Sequence, residues 1–186
     1  MAKTQYYTAT TLDGYIADQD NSLSWLFEAD SEGRDEFTPF FAQVGAFAMG
    51  RTTYQWVLDH DKLLEQPLKW ADYYGETPAW VFSNHELDPI PGADLTFVRG
   101  DVRPVHEAMT KAAAGKNIWL VGGGELVGRF ADAGLLDEII VGVAPVTLGG
   151  GAPLLPRRLT SSRLTLTDVR QVAQFAYLTY AVGPPA

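Results

Sequence analysis

The chain has 186 residues, 46 % of them hydrophobic and 20 % charged, with a formal net charge of −9 and no cysteine. That balance is ordinary for a folded globular protein, and the acidity argues against nucleic-acid or membrane-surface binding, which needs a basic face. Without cysteine there is no disulfide framework, no thiol nucleophile and no thiolate metal ligand.

No apolar run approaches the roughly 18 residues needed to span a bilayer. The opening MAKTQYYTAT has no apolar h-region, so a cytoplasmic location is expected. With no repeat, low-complexity linker or shift in composition, residues 1–186 read as one domain.

Tyr6–Thr10 reads as a first strand. Phe37, Phe40 and Phe41 stand at helical spacing and predict a helix over Glu32–Gln43, with Ser31 as N-cap. Ala46–Met49 predicts a buried strand and Thr52–Leu58 a helix after it. His60–Thr77 reads as an aromatic and charged surface loop. Ala79–Phe82 and Leu95–Val98 predict strands, and Val102–Ala114 a helix stopped by Gly115. Asn117–Val121 predicts a strand, Glu125–Ala133 a helix ended by Gly134, and Glu138–Val146 a long strand. Two more strands are expected around Leu164–Val169 and Phe175–Val182. Strand–helix alternation followed by helix-free terminal strands predicts an α/β fold, its sheet mostly parallel with an antiparallel C-terminal edge.

Three strand ends carry groups suited to phosphate. In WLVGGGELVG (residues 119–128) a strand runs into three glycines and then a helix, where backbone N–H groups favour an anion. A plain tight turn is the other reading. The dinucleotide pattern G-x-G-x-x-G does not fit, since position 127 is Val. In MGRTTYQW (49–56), Gly50 precedes Arg51, Thr52 and Thr53. The arginine suits a phosphate or a surface ion pair, and the threonines suit phosphate or a helix cap. VFSNHE (81–86) places Ser83 and Asn84 past another strand, as ligand contacts or turn residues. Ligands in α/β sheets gather beyond the carboxyl ends of strands, so together the three segments favour one bound ligand.

These segments carry a resemblance. TLDGYIA (11–17), MGRTTYQW, VFSN, WLVGGGEL and LLDEIIVGVAPVTLGGG (135–151), followed by the last strands, occur in the order of the dihydrofolate reductase-like superfamily. Within it the chain resembles a stand-alone form of the reductase domain at the C-terminus of the bacterial bifunctional riboflavin-biosynthesis deaminase-reductase. No zinc deaminase signature is present. The resemblance implies a central mixed, mostly parallel sheet of eight to nine strands with helices on both faces, NADPH as hydride donor, a small-molecule substrate, and a homodimer. It also implies that Gly50, Arg51, Thr52 and Thr53 meet the pyrophosphate and 2′-phosphate side, with Ser83 and Asn84 beside the adenosine ribose. Val121, Gly122, Gly123, Gly124, Glu125 and Leu126 would line the nicotinamide–pyrophosphate stretch, and Ala9 and Ile16 would cover the nicotinamide. Folate reductases carry an acid on their first long helix, and in DSEGRDEFTPFF neither Asp35 nor Glu36 clearly takes that place.

The implied chemistry is hydride transfer to a C=N or carbonyl-derived carbon, for which the protein aligns donor and acceptor and excludes water. Asp13 is the first candidate to orient the substrate or a water, against a simple Asp-Gly turn. Glu125 is the second, against an acid that merely suits a helix N-terminus. His60, His85 and His106 are too scattered for a metal site. His106 is expected on a solvated helix face, and His85 and Arg99 near a 2′-phosphate or simply in loops. The alternatives are a dihydrofolate- or pterin-type reductase of the same fold, and a non-catalytic nucleotide-binding dimer.

Overall fold

Thr4–Thr11 (β1), rich in threonine and tyrosine, pairs in parallel with neighbours on both sides and forms the middle of the sheet. The computed structural model describes residues 2–29 and 33–185. After β1 come β2 (Tyr15–Ala17), α1 (Ser24–Glu28), α2 (Phe37–Phe41), β3 (Val44–Gly50), α3 (Arg51–His60) and α4 (Leu68–Tyr74). Then follow β4 (Ala79–Phe82), β5 (Leu95–Val98), α5 (Val102–Ala112), β6 (Asn117–Gly122) and α6 (Gly124–Asp132). The chain closes with β7 (Glu138–Ala144), β8 (Ala152–Pro153), β9 (Leu164–Val172) and β10 (Phe175–Val182).

Eight strands form one sheet in the order β5-β4-β3-β6-β1-β7-β10-β9, and β2 pairs with β8 in a separate two-stranded ribbon. The ladders from β5 to β7 are parallel, and the last two, β7–β10 and β10–β9, are antiparallel. The architecture is therefore the expected α/β, dihydrofolate reductase-like sheet.

Side-chain alternation along β3 builds two cores. Ala46 and Ala48 pack with Val105 and Met109 of α5 and Val127 and Phe130 of α6. Phe47 and Met49 face the other way, onto Tyr54 and Leu58 of α3 and Trp70 of α4. The fully buried Phe47, Trp70 and Phe130 are the kind of side chain whose truncation to alanine costs about 3–5 kcal/mol.

Several expectations are corrected. The helix expected over Glu32–Gln43 is only Phe37–Phe41. Gly33 has φ +68, and the Asp35 carboxylate accepts from the amides of Phe37 and Thr38, so the chain ahead of the helix is a turn. Ser31 lies outside the described residues. The supposed loop His60–Thr77 contains α4, because Trp70 and Tyr74, four apart, pack on Phe47. His106 is half-buried rather than solvated: its Nε2 lies 2.8 Å from Thr4 Oγ1, and burial pushes its pKa down. No helix of the described residues is long and apolar enough to cross a membrane.

Candidate functional site

Because β3, β4, β5, β6, β1 and β7 are parallel, their carboxyl ends share one edge of the sheet. β3 and β6 are neighbours there, with Met49 opposite Gly122. From these two adjacent ends the chain departs in opposite directions, α3 to one face and α6 to the other. That divergence opens a crevice at the sheet edge, where ligands of α/β proteins sit.

The crevice is lined by main chain. The N-caps of α3 and α6 are Gly50 and Gly123, and neither helix has a side-chain cap. Asp101, by contrast, caps α5 by accepting from the Arg103 amide at 3.1 Å. The first-turn N–H groups of α3 and α6 thus lack a side-chain acceptor, which with the helix dipoles makes the crevice attractive to an anion. Thr52 and Thr53 do not cap α3.

The two glycine clusters touch. A Cβ on Gly50 would lie 3.7 Å from Gly122 O and Gly123 N, and one on Gly122 would lie 3.8 Å from Thr53 Oγ1. One on Gly123 would come only to 4.0 Å from Ile16 Cδ1, so Ile16 borders the same space. The Gly122–Gly123 peptide is cis. Gly124 is instead a packing residue, since a Cβ there would run into the carbonyl oxygens of Pro153 and Leu154. Leu126 corrects an expectation, since its side chain is buried in the core beneath α6 and is closed to a ligand. Val121 is half-buried.

Arg51 and Arg99 follow β3 and β5 at this edge, exposed, and among the described residues neither guanidinium has an ion-pair partner. Ser83 uses its hydroxyl within its own turn, accepting from the His85 amide at 3.0 Å and donating to the His85 carbonyl at 2.8 Å. Asn84 is exposed beside it.

A second space adjoins the crevice. The β1–β6 ladder ends at Tyr6↔Leu120, whereas β1–β7 continues to Thr11↔Ala144. Past Tyr6 the two strands part, and beside Ala9 lies a cavity of about 410 Å³. Its apolar walls include Leu26, Phe27, Val172 and Phe175; its polar lining includes Tyr7, Thr8, Arg34, Glu36 and Tyr177. Glu36 is the acid that the sequence left unplaced. It faces the cavity just ahead of α2, and its Oε2 pairs with Arg170 at 2.5 Å. Tyr177 and Arg170 come from the terminal strands, whose alternation carries no hint of a site, so sequence reasoning passed over them.

Neither acid proposed for proton delivery stands free. Both oxygens of Asp13 accept backbone amides, from Leu148 at 3.1–3.2 Å and Gly149 at 2.7 Å, and Oδ1 also accepts from Thr11 Oγ1 at 2.6 Å. The Thr11 hydroxyl and then these amides hold its pKa below the usual carboxylate range, which makes it a poor acid at neutral pH. Asp13 instead latches the TLDG loop to the segment before β8. Since the folded pKa lies below the unfolded one, the latch is complete above the ordinary carboxylate range and is lost as pH falls through the depressed value. Asp13→Ala is expected to speed amide hydrogen exchange at Leu148 and Gly149 at neutral pH, while core amides of β1 keep their protection; unchanged exchange at both loop amides would refute the latch.

Glu125 is also engaged. It receives two bonds from Arg157, at 2.7 and 2.9 Å, and Arg157 also donates to Asp132 at 2.7 Å. The Arg157 hydrogen bonds depress its pKa, and its side chain is 70 % exposed. An exposed pair of this kind contributes no more than about 1 kcal/mol. Glu125→Gln should therefore lower stability by less than that and leave NADPH turnover unchanged; a loss of turnover with normal stability would restore Glu125 as a catalytic group.

A family model described as the RibD C-terminal domain matches residues 2–177. YwjB, an uncharacterised protein of Bacillus subtilis (strain 168), is 34 % identical over 178 residues, spanning 96 % of this chain and 97 % of that protein. A crystal structure from Shewanella sp. PV-4, named as a riboflavin biosynthesis protein, is 26 % identical with a TM-score of 0.77, covering 98 % of this chain and 99 % of that one. Dihydrofolate reductase from Enterococcus faecalis, complexed with NADP(H), has a TM-score of 0.58 at 12 % identity, covering 97 % and 96 %, which is a likeness of fold alone.

Proposed function

The chain belongs to the RibD C-terminal domain family, and from that premise we propose that it is an NADPH-dependent reductase acting on a small nitrogen heterocycle, as in the reduction of 5-amino-6-(5-phosphoribosylamino)uracil. One observation carries the reading: two uncapped helix N-termini meet across touching glycines at the point where the sheet's crossovers diverge. The donor set fits a dinucleotide, with backbone N–H groups for the pyrophosphate and Arg51 with Thr52 for the 2′-phosphate. Ser83 and Asn84 would flank the adenosine end, and Ala9, Ile16 and Gly123 the nicotinamide end. When bound, the cofactor supplies the hydride.

The protein's own part is placement. The splaying of β1 from β6 joins the crevice to the 410 Å³ cavity, so a ring held there lies beside Ala9, next to the nicotinamide end. Alignment of this kind and exclusion of water supply the rate. Apolar walls suit the faces of a planar ring. We also expect a homodimer in the cytoplasm.

The test is NADPH binding by cofactor fluorescence, followed by turnover with 5-amino-6-(5-phosphoribosylamino)uracil against dihydrofolate. Saturable binding and oxidation with the pyrimidine are expected. Preference for dihydrofolate would move the protein to a pterin-type reductase, and no saturable binding would leave a non-catalytic protein.

A further inference from the structure

We propose that the paired hydroxyls of Tyr7 and Tyr177 are the substrate-orienting donors of the 410 Å³ cavity, and that they select a planar, uncharged ring presenting a carbonyl or imine acceptor. This deepens the reading above and rests on its placement of the substrate beside Ala9. The two phenols come from different strands, β1 and β10, and meet only through the fold. Both line the cavity, and they share a hydrogen bond.

Hydrogen inventory makes the pair directional. Two hydroxyls hold two protons, and one is spent between them. Among the described residues no protein acceptor takes the other, so one O–H remains for a ligand. Burial pushes both phenols above their ordinary range. They therefore stay neutral near pH 7 and serve as donors rather than as phenolates.

Each ring is held in place by neighbours that serve no other evident purpose. Phe40 stacks on Tyr7 with centroids 4.2 Å apart and planes 13° from parallel. The Tyr7 carbonyl accepts the Trp119 indole N–H at 3.0 Å. Tyr177 lies across the backbone of Gly142, its ladder partner, where a Cβ would come within 3.0 Å of the phenol Cζ. Over the Tyr177 ring, 5.1 Å from its centroid, sits the Arg170 guanidinium, itself pinned by Glu36. The acid thus acts through Arg170 as a positioning residue, and the charges beside the cavity are matched within the protein. Such a site favours a neutral ring over a charged one.

The experiment titrates the ligand-free protein with 5,6-diaminouracil, followed by tryptophan fluorescence. Wild type should bind saturably. Tyr7→Phe and Tyr177→Phe should each weaken binding about tenfold, which is the order of one hydrogen bond to a buried acceptor. Because a single spare proton is at stake, the double variant should be no weaker than the worse single one. NADPH affinity should stay within about twofold in all of them. Gly142→Ala, which crowds the Tyr177 ring without touching either hydroxyl, should weaken diaminouracil in the same way. Absence of binding by wild type, or phenylalanine variants that bind as wild type does, overturns the proposal. Should NADPH fail to bind while the diaminouracil series behaves as described, the reductase reading falls and the tyrosine pair stands. If NADPH binds and is oxidised with the pyrimidine but the variants are silent, only the tyrosine pair falls.

Discussion

Gly124→Ala is expected to destabilise the protein severely, whereas Gly123→Ala, one residue earlier, should leave stability intact and abolish cofactor binding. Gly124 is buried against the Pro153 and Leu154 carbonyls, so an added methyl meets rigid backbone that cannot rotate aside. Overpacking of this type costs about 1–3 kcal/mol, and more where backbone must shift. At about 2–4 °C per kcal/mol for a chain of this size, the thermal midpoint should fall by roughly 6–12 °C for a loss near 3 kcal/mol. Gly123 has φ −77, which an alanine adopts freely, and its nearest neighbour would be Ile16 Cδ1 at 4.0 Å, an ordinary contact. Its new methyl would stand in the crevice. Thermal melts with NADPH titrations on both variants separate the two roles; equal melting temperatures, or normal NADPH affinity in Gly123→Ala, would contradict this division of the glycines.

The second large effect concerns cofactor choice. Arg51→Ala should weaken NADPH by about 10–100-fold and NADH by far less. A guanidinium on a phosphate makes charge-assisted hydrogen bonds worth about 1.5–3 kcal/mol, and each 1.4 kcal/mol is tenfold in affinity. Arg51 is suited to this because it starts α3 exposed and has no competing carboxylate among the described residues. Parallel fluorescence titrations with the two nucleotides decide the matter. Equal losses would remove Arg51 from the 2′-phosphate.

Local patterning accounts for many of the elements. Ala79–Phe82, Leu95–Val98 and Phe175–Val182 form strands with the bounds their apolar patterning predicts, and the helices after Gly50 and Gly123 begin within a residue or so of expectation. Those elements are long or strongly patterned, so the chain's own periodicity suffices. The five residues of α1, the two of β8 and the turn before α2 are held by contacts with distant segments, and no window of sequence contains their cause.

The site divides along the same line. Gly50 with Arg51 and Gly122 with Gly123 were legible, because a glycine between strand and helix implies close backbone approach wherever it occurs. Asp13 and Glu125 were legible as residues but not as roles. Their partners lie far along the chain, at Leu148–Gly149 and Arg157, and those partners turn both acids into structural anchors. Glu36, Arg170, Tyr7 and Tyr177 were invisible, since they are scattered over β1, the α2 turn and the last two strands.

By itself, then, the sequence determined the order of elements, the polarity of the sheet and the two glycine-bearing strand ends, because these follow from local backbone preference and apolar periodicity. Only the tertiary structure decided that β3 and β6 would be neighbours, that β1 would part from β6 to leave a cavity, and which polar groups would face it. Those outcomes depend on strand order and long-range packing, and the free energy that selects them is shared among residues more than a hundred positions apart.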